Sequence, residues 1–177
     1  MYYISPPDPK WPVEEQRQYV QSEADLMTTT THCVWTGHIL ETARSNASGN
    51  PLSVFTYSYA YTEGWSCYSE EMMLHEALDD DPEMAIGQLQ NALLGNVRIL
   101  SSIGLHTGGM TIKESERLFL EKALSDPQSA RQEAVRGTFD PGYLFYSLGK
   151  LMIVKLRDDW LAVHPESSLR DVHEAFL

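Results

Sequence analysis

The chain has 177 residues and a mass of 20.1 kDa, a length that predicts a single domain over residues 1–177. Its 13 basic and 25 acidic residues give a formal net charge of −12, which argues against nucleic acid or an anionic membrane surface as a partner. No apolar run approaches the ~20 residues of a membrane span, and the first residues lack the pattern of a signal peptide. Because two cysteines make no disulfide framework, we expect a cytoplasmic protein.

The first part of the chain predicts an extended lead, a helical stretch and one short strand. The prolines between residues 5 and 12 favour extended or turn structure. From Val13 a helical pattern continues as far as His38, and residues 45–51 have the composition of a loop. Residues 52–61 alternate in polarity, which is typical of a strand at the edge of a sheet.

The rest of the chain predicts a series of helices with clear start signals. After a helix over residues 59–78, the acidic triplet 79–81 caps a helix over residues 82–105. Thr111 and Glu114 have the spacing of a capping box. The remaining predicted helices cover residues 111–124, 127–137 and 141–163, with a last one from residue 171. These elements predict an all-α domain with at most one short edge strand or hairpin.

Two of these helices carry apolar residues at intervals of three and four, a pattern that marks the face a helix turns to the core. They are Ile86, Leu89, Leu93, Val97 and Leu100 in the first helix, and Phe145, Leu148, Met152, Leu156 and Trp160 in the second. The pattern therefore identifies one apolar face on each of these helices.

Two histidines and a glutamate form a candidate metal site. His32 and His38 stand six positions apart, and Glu63 follows 25 positions later in another predicted helix. Two imidazoles and a carboxylate are the ligand set of a catalytic zinc ion, with a fourth position left open. Six residues turn a straight helix by about 600°, so the two rings converge only if the helix is widened, kinked or broken near Thr36 and Gly37. The alternative is a pair of histidines that are hydrogen-bonded in a polar interior.

The helix that carries Glu63 also carries Glu70, seven positions later, with Cys67 between them. Seven residues return a helix to nearly the same face, so the two carboxylates point the same way. Carboxylates that face inward indicate a ligand, a buried pair or a hydrogen-bond relay. The alternative is an acidic stripe that faces the solvent.

Seven short stretches occur in the same order as in a known family, and together they span nearly the whole chain. The stretches cover residues 3–9, 32–38, 60–65, 103–111, 136–141, 148–152 and 156–160. By these stretches the sequence resembles the C-terminal part of the bacterial family called domain of unknown function 885, which looks like a group of zincin-type metallopeptidases. The resemblance implies a helical domain like the catalytic half of a helical zincin-like peptidase.

The family motif HExxPGH implies that His32, His38 and Glu63 hold one zinc ion. The glutamate after the first histidine of this motif would be the general base, and this chain has Cys33 in its place. Thr36 replaces the proline of the motif. A cysteine offers one weak acceptor and is a poor proton shuttle in this role, although it could instead ligate the metal.

The resemblance implies further roles for five residues. His106, together with Tyr143 or Tyr146, would donate a hydrogen bond to a substrate carbonyl or its oxyanion. Arg136 and Arg157 would receive a substrate carboxylate through paired hydrogen bonds. The alternatives are core packing for Tyr146 and local ion pairs for Arg157, which adjoins two aspartates.

The sequence therefore predicts a degenerate, metal-binding relative of zinc peptidases, weakly hydrolytic or inactive on peptides because Cys33 replaces the base. One alternative is a metal-dependent enzyme with altered chemistry on a small substrate, such as an isomerisation or a cyclisation. Another is a non-catalytic oligomeric interaction module. The expected substrate is a peptide or a small molecule. In longer family members an N-terminal half forms the other wall of the cleft, so we also expect a second copy of this chain, or a second chain, to cover the exposed apolar face.

Overall fold

The computed structural model describes residues 5–77 and 81–177, and within these ranges it is helical without strands, which confirms the all-α prediction. The first half contains α1 (Val13–Tyr19), α2 (Glu23–Cys33), α3 (His38–Ala47), α4 (Pro51–Phe55) and α5 (Tyr59–Ala77). The second half contains α6 (Pro82–Thr107), α7 (Ile112–Lys122), α8 (Pro127–Gly137), a 3₁₀ turn (Pro141–Leu144), α9 (Phe145–Val163) and α10 (Leu169–Phe176). None of the helices in this described part has the length and apolar composition that a bilayer span requires.

The helical stretch predicted from Val13 to His38 is broken into separate helices. Ser22 and Asp25 form a capping box that starts α2 afresh after α1 has ended. The second break lies between Cys33 and His38. There the chain folds back so closely that a Cβ on Gly37 would overlap the backbone of α2, and glycine is the residue that permits this approach.

The edge strand predicted over residues 52–61 is wrong, because α4 and the start of α5 occupy this segment. The Asn50 side chain accepts a hydrogen bond from the Leu52 N–H, and Pro51 stands at the first helical position. A cap followed by proline is a helix start signal, and it outweighs a short alternation in polarity. The predicted loop over residues 45–51 is shorter than expected, since α3 runs to Ala47.

The helix starts that were predicted from local caps are observed in the structure. Thr111 and Glu114 form the predicted capping box of α7, and Asp126 caps α8 through the backbone N–H groups of its first turn. Asp81 caps α6 in the same way. The other two aspartates of the acidic triplet, like the first residues of the family resemblance, lie outside the described residues.

The central helix α5 packs most extensively against α9. The two backbones come into contact at Gly64 and Gly149, where a Cβ on either glycine would overlap the other chain segment. α2 and α3 cover other faces of α5, and α6 joins it to α7 and α8. This arrangement places the break between α2 and α3 directly over α5.

The apolar faces predicted for α6 and α9 are largely exposed. Val97 lies in the core, but Leu89 is 63% exposed and Leu100 is 54% exposed. The buried face of α6 carries mainly small residues, among them Gly95, Ser101 and Ser102, whereas α9 buries Tyr146, Gly149 and Ile153. Periodicity identifies an apolar face but does not identify what covers it.

We expect a second copy of the chain to cover this exposed face, because a large apolar patch in water promotes association. Light scattering at tens of micromolar protein should therefore give the mass of a dimer. Leu89→Glu should shift the mass toward that of a monomer, whereas Lys113→Glu, on α7, should not. A wild-type monomer under these conditions would contradict this expectation.

Candidate metal centre

The break between α2 and α3 brings the two histidines together. His32 ends up in the last turn of α2 and His38 at the start of α3, with ring centroids 4.8 Å apart and nearly perpendicular planes. The buried indole of Trp65 on α5 donates a hydrogen bond of 2.9 Å to the Thr36 carbonyl oxygen. This bond holds the connecting segment against α5, so the break is part of the packed structure.

Glu63 on α5 completes the cluster. Its Oε2 atom lies 3.3 Å from Nε2 of His32 and 3.5 Å from Nε2 of His38. The three donor atoms all lie within 4.8 Å of one another. The structure thus brings together the three residues that the sequence nominates as ligands, in a group able to hold one metal ion.

The other ring nitrogen of each histidine is held by a neighbour. Nδ1 of His32 lies 2.6 Å from Glu70 Oε1, and Asn91 donates to the same oxygen at 2.9 Å. Nδ1 of His38 lies 2.8 Å from the Ser66 hydroxyl. Histidines that bind metals are usually fixed in this manner, since the second hydrogen bond sets both the tautomer and the ring orientation.

Glu70 is 4% exposed, so the interpretation of this carboxylate as part of a solvent-facing stripe is wrong. The adjacent Glu71 does face outward, where it pairs with Lys150. The seven-residue spacing from Glu63 was the sequence feature that placed Glu70 on the same face of α5 as Glu63. Asn91 and Ser66 carried no such signal, since each is one polar residue within a helix.

The neighbouring charges shift the pKa values of two members of the cluster. Burial raises the pKa of Glu63, but its hydrogen bonds with His32 and His38 outweigh this and lower the pKa to about 2. Burial lowers the pKa of His32, but hydrogen bonds with Cys67, Glu63 and Glu70 outweigh it and hold the pKa well above its ordinary value. These shifts favour a protonated His32 beside a charged Glu63, and a metal ion that bound His32 would displace that proton.

The two cysteines differ in their position relative to the cluster. Cys67 belongs to a second group of possible ligand atoms, with His32 and Glu70. Cys33 belongs to neither group within the described residues, so the geometry does not support Cys33 as a ligand. Burial raises the pKa of both thiols.

The cluster opens into a cleft of about 410 Å³ that is also lined by Cys33, Arg98, Arg136 and Tyr146. The Tyr146 ring stacks against His32 at 6.2 Å between centroids, and its hydroxyl accepts a hydrogen bond of 3.1 Å from Arg136. Arg136 also pairs with Asp140 at 2.9 Å. Two of the residues nominated for substrate contact, Arg136 and Tyr146, therefore face this cleft, together with Cys33.

The other nominated residues do not line the cleft as far as the chain is described. The His106 Nε2–H donates to the Gly137 carbonyl oxygen at 2.9 Å, and the Tyr143 hydroxyl donates to the Glu133 carbonyl oxygen at 3.3 Å. Arg157 pairs with Asp158 at 2.8 Å, which is the local ion pair that the sequence left open as its alternative.

An ion pair in the wall of the cleft was not predicted from the sequence. Arg98 on α6 donates to both carboxylate oxygens of Glu133 on α8, at 2.8 and 2.6 Å, and its guanidinium lies 4.7 Å from the centre of the Tyr146 ring. The two charges are 35 positions apart in the chain, so no local pattern connects them. This pair fixes the tyrosine that stacks on His32.

These features define an all-α protein with an open cleft around a cluster of two histidines and a carboxylate. The chain belongs to the bacterial proteins of unknown function called DUF885, whose family model matches residues 1–177. No functionally curated protein matches it.

Two solved structures resemble the chain in fold. The putative lipoprotein from Colwellia psychrerythraea shares 29% sequence identity with a TM-score of 0.79, and the match covers 86% of this chain and 27% of that protein. A putative lipoprotein of unknown function from Shewanella oneidensis shares 24% identity with a TM-score of 0.76, covering 94% of this chain and 31% of that protein. The chain thus spans less than a third of the length of either relative.

Proposed function

We propose that the chain is a metal-binding relative of zinc peptidases, with one zinc ion held by His32, His38 and Glu63, and that it is weakly hydrolytic or inactive on peptides. The observation that carries this proposal is the convergence of the two Nε2 atoms and the Glu63 carboxylate, while Glu70 and Ser66 hold the opposite ring nitrogens. Simple packing of histidines in a polar interior does not require this double arrangement.

The donor set fits zinc better than the other common cations. Two imidazoles and one carboxylate are the three protein ligands of many catalytic zinc sites, whereas calcium and magnesium prefer oxygen donors throughout. The cleft lies on the open side of the set. A zinc ion bound there would supply a Lewis acid for a substrate carbonyl group.

The residues around the set account for weak hydrolysis. Tyr146 accepts a hydrogen bond from Arg136 and also interacts with the Tyr59 hydroxyl, so its O–H would donate to a substrate oxygen in exchange for the contact with Tyr59. Cys33 stands where a base is required, and burial raises the pKa of its thiol. The thiol therefore stays protonated at neutral pH and cannot accept a proton from the attacking water.

The zinc content of the purified protein tests the proposal. After zinc loading and removal of free metal, elemental analysis should give one zinc ion per chain for the wild type and much less than one for His38→Ala. His106→Ala, which removes a histidine outside the cleft, is the matched control and should keep its zinc. Equal zinc content in the two variants would reject the proposed centre.

Restoring a carboxylate at position 33 should increase hydrolysis. Cys33→Glu places a carboxylate beside the proposed centre, and a general base contributes about 10²–10⁴-fold. The gain should appear mainly in kcat, because the group acts on the transition state. Thr36→Pro restores the second missing motif residue, so the double variant should exceed Cys33→Glu alone.

Hydrolysis of short peptides by the zinc-loaded variants checks this expectation. Cys33→Gln has the size of the glutamate but no acid–base function, and it should leave activity at the wild-type level. If the zinc-loaded double variant hydrolyses no peptide above background, the scaffold lacks more than its base, and a non-catalytic zinc-binding module becomes the better proposal.

A further inference from the structure

A second compartment of about 280 Å³ adjoins the cleft at His32; we call it the side compartment and the cleft at His32 the main cleft. It is bounded by α2, α6 and the segments that precede α2 and α8. The residues that line both spaces are Gln21, Thr29, Asn91, Leu94, Ser125 and Ser129. Because these residues line both spaces, the side compartment lies next to the main cleft.

The side compartment differs from the main cleft in charge. Among the described residues that line it there is no lysine, arginine or histidine, and the charged members are Asp25 and Asp126. Both carboxylates cap helices through backbone N–H groups. The main cleft contains Arg98 and Arg136 instead. An anionic group would therefore find no opposite charge in the side compartment.

The lining of the side compartment has hydrogen-bonding capacity that the fold does not use. Within the described part of the chain, the side chains of Gln90, Ser125 and Ser129 make no hydrogen bond to another protein group. Carboxamides and hydroxyls can both donate and accept. They suit a polymer that presents alternating N–H and C=O groups, which is the chemistry of an extended peptide backbone.

Asn91 connects this lining to the proposed centre. Its side chain faces both spaces, and its amide donates to Glu70, which in turn holds Nδ1 of His32. A chain that occupies the side compartment therefore lies next to the groups that orient His32, and it can continue into the main cleft.

We propose that the side compartment binds an uncharged peptide segment of the same substrate molecule that occupies the main cleft, and that it excludes segments with acidic side chains. The identity of this substrate as a peptide rests on the proposed function. The binding preference itself depends only on the lining and can be measured without turnover.

A titration followed by ¹H–¹⁵N NMR tests the preference. The probes are two N-acetylated tetrapeptides with free carboxylates, one of four alanines and one with aspartate in place of the first two. The alanine peptide should bind about 10-fold more tightly, since like charges repel at short range, and it should shift the side-chain amide signals of Gln90 and Asn91. Equal affinities, or shifts that spare both amides, would overturn the proposal.

A charge variant tests the location. Gln90→Lys places a cation in the side compartment and should reduce the discrimination between the two peptides at least about 3-fold. Gln132→Lys makes the same change of net charge on an exposed position of α8 outside the cleft, and it should leave the ratio unchanged. The same ratio in both variants would overturn the proposal.

The experiment also separates this inference from the zinc proposal, because the titrations are run on zinc-free and zinc-loaded protein of measured zinc content. Zinc binding without peptide discrimination would remove only the inference about the side compartment. Discrimination without zinc binding would support this inference and reject the proposed centre. A neutral oligosaccharide that binds more tightly than the alanine peptide and shifts the same amides would overturn the assignment to peptide.

Discussion

Arg98→Met is expected to lower the free energy of unfolding by about 3–5 kcal/mol, because it leaves the Glu133 carboxylate buried without its partner. The pair joins α6 to α8 through two short hydrogen bonds, with both side chains mostly shielded from solvent. Burial raises the pKa of Glu133, but Arg98 outweighs it and holds the pKa below the ordinary value. Methionine keeps much of the aliphatic stem, so the loss reports chiefly on the charge.

Urea denaturation followed by circular dichroism measures this loss. The control is Arg117→Met, whose ion pair with Glu121 is exposed, with 4.0 Å between the charged groups, and it should change stability by at most about 0.5–1 kcal/mol. The double variant Arg98→Met with Glu133→Gln should lose less free energy of unfolding than the two single variants lose in total. A loss below about 1 kcal/mol for Arg98→Met alone would contradict the role given to this pair.

The Arg98–Glu133 pair also determines how the stability difference between wild type and Arg98→Met depends on pH. A carboxylate with a depressed pKa stabilises the fold above its ordinary pKa, and this contribution is lost as the pH falls through the folded value. The stability difference between wild type and Arg98→Met should therefore be full at pH 7 and shrink in acid. A difference that grows in acid would contradict the assigned charge states.

Glu70→Ala is expected to weaken zinc binding by about 10–100-fold, the usual effect of removing a group that orients a ligating histidine. Glu70 holds Nδ1 of His32 at 2.6 Å and is itself fixed by Asn91. Without it, His32 keeps its donor atom but loses the hydrogen bond that directs the ring. Glu70→Gln keeps an acceptor oxygen and should have an intermediate effect.

Competition with a chromogenic zinc chelator measures these affinities. Glu71→Ala is the matched control, because the neighbouring carboxylate points outward to Lys150, and it should bind zinc as the wild type does. Circular dichroism confirms that the variants are folded. Equal affinities for Glu70→Ala and Glu71→Ala would show that Glu70 does not orient His32.

The parts of the fold that could be predicted from sequence are those decided by neighbouring residues. The starts of α7 and α8 follow from caps within four positions, at Thr111 and Asp126. The strand prediction failed for the same kind of reason, since the cap at Asn50 and Pro51 decides the structure of that segment. Local hydrogen bonds are readable in the sequence because both partners lie in one short window.

Contacts between distant segments were less predictable. The apolar spacing of Leu89 and Leu100 indicated a core face, but α6 packs inward through smaller residues such as Ser101 and leaves both leucines exposed. Packing of this kind depends on the partner helix, which periodicity does not identify.

The candidate site contains both predictable features and features that depend on distant segments. The residue types and the family motif nominated His32, His38 and Glu63, whereas the six-residue spacing required a break between the two histidines. The groups that orient or enclose the cluster come from distant helices, as with Asn91 and the pair of Arg98 and Glu133. No pattern within one helix relates such residues to the site.

The most direct test of the proposed centre is anomalous scattering at the zinc edge from crystals of the zinc-loaded protein. We predict one peak, about 2.0–2.2 Å from Nε2 of His32, from Nε2 of His38 and from a carboxylate oxygen of Glu63. The absence of a peak among these three residues, or a peak held by Cys67 and Glu70 instead, would contradict the account.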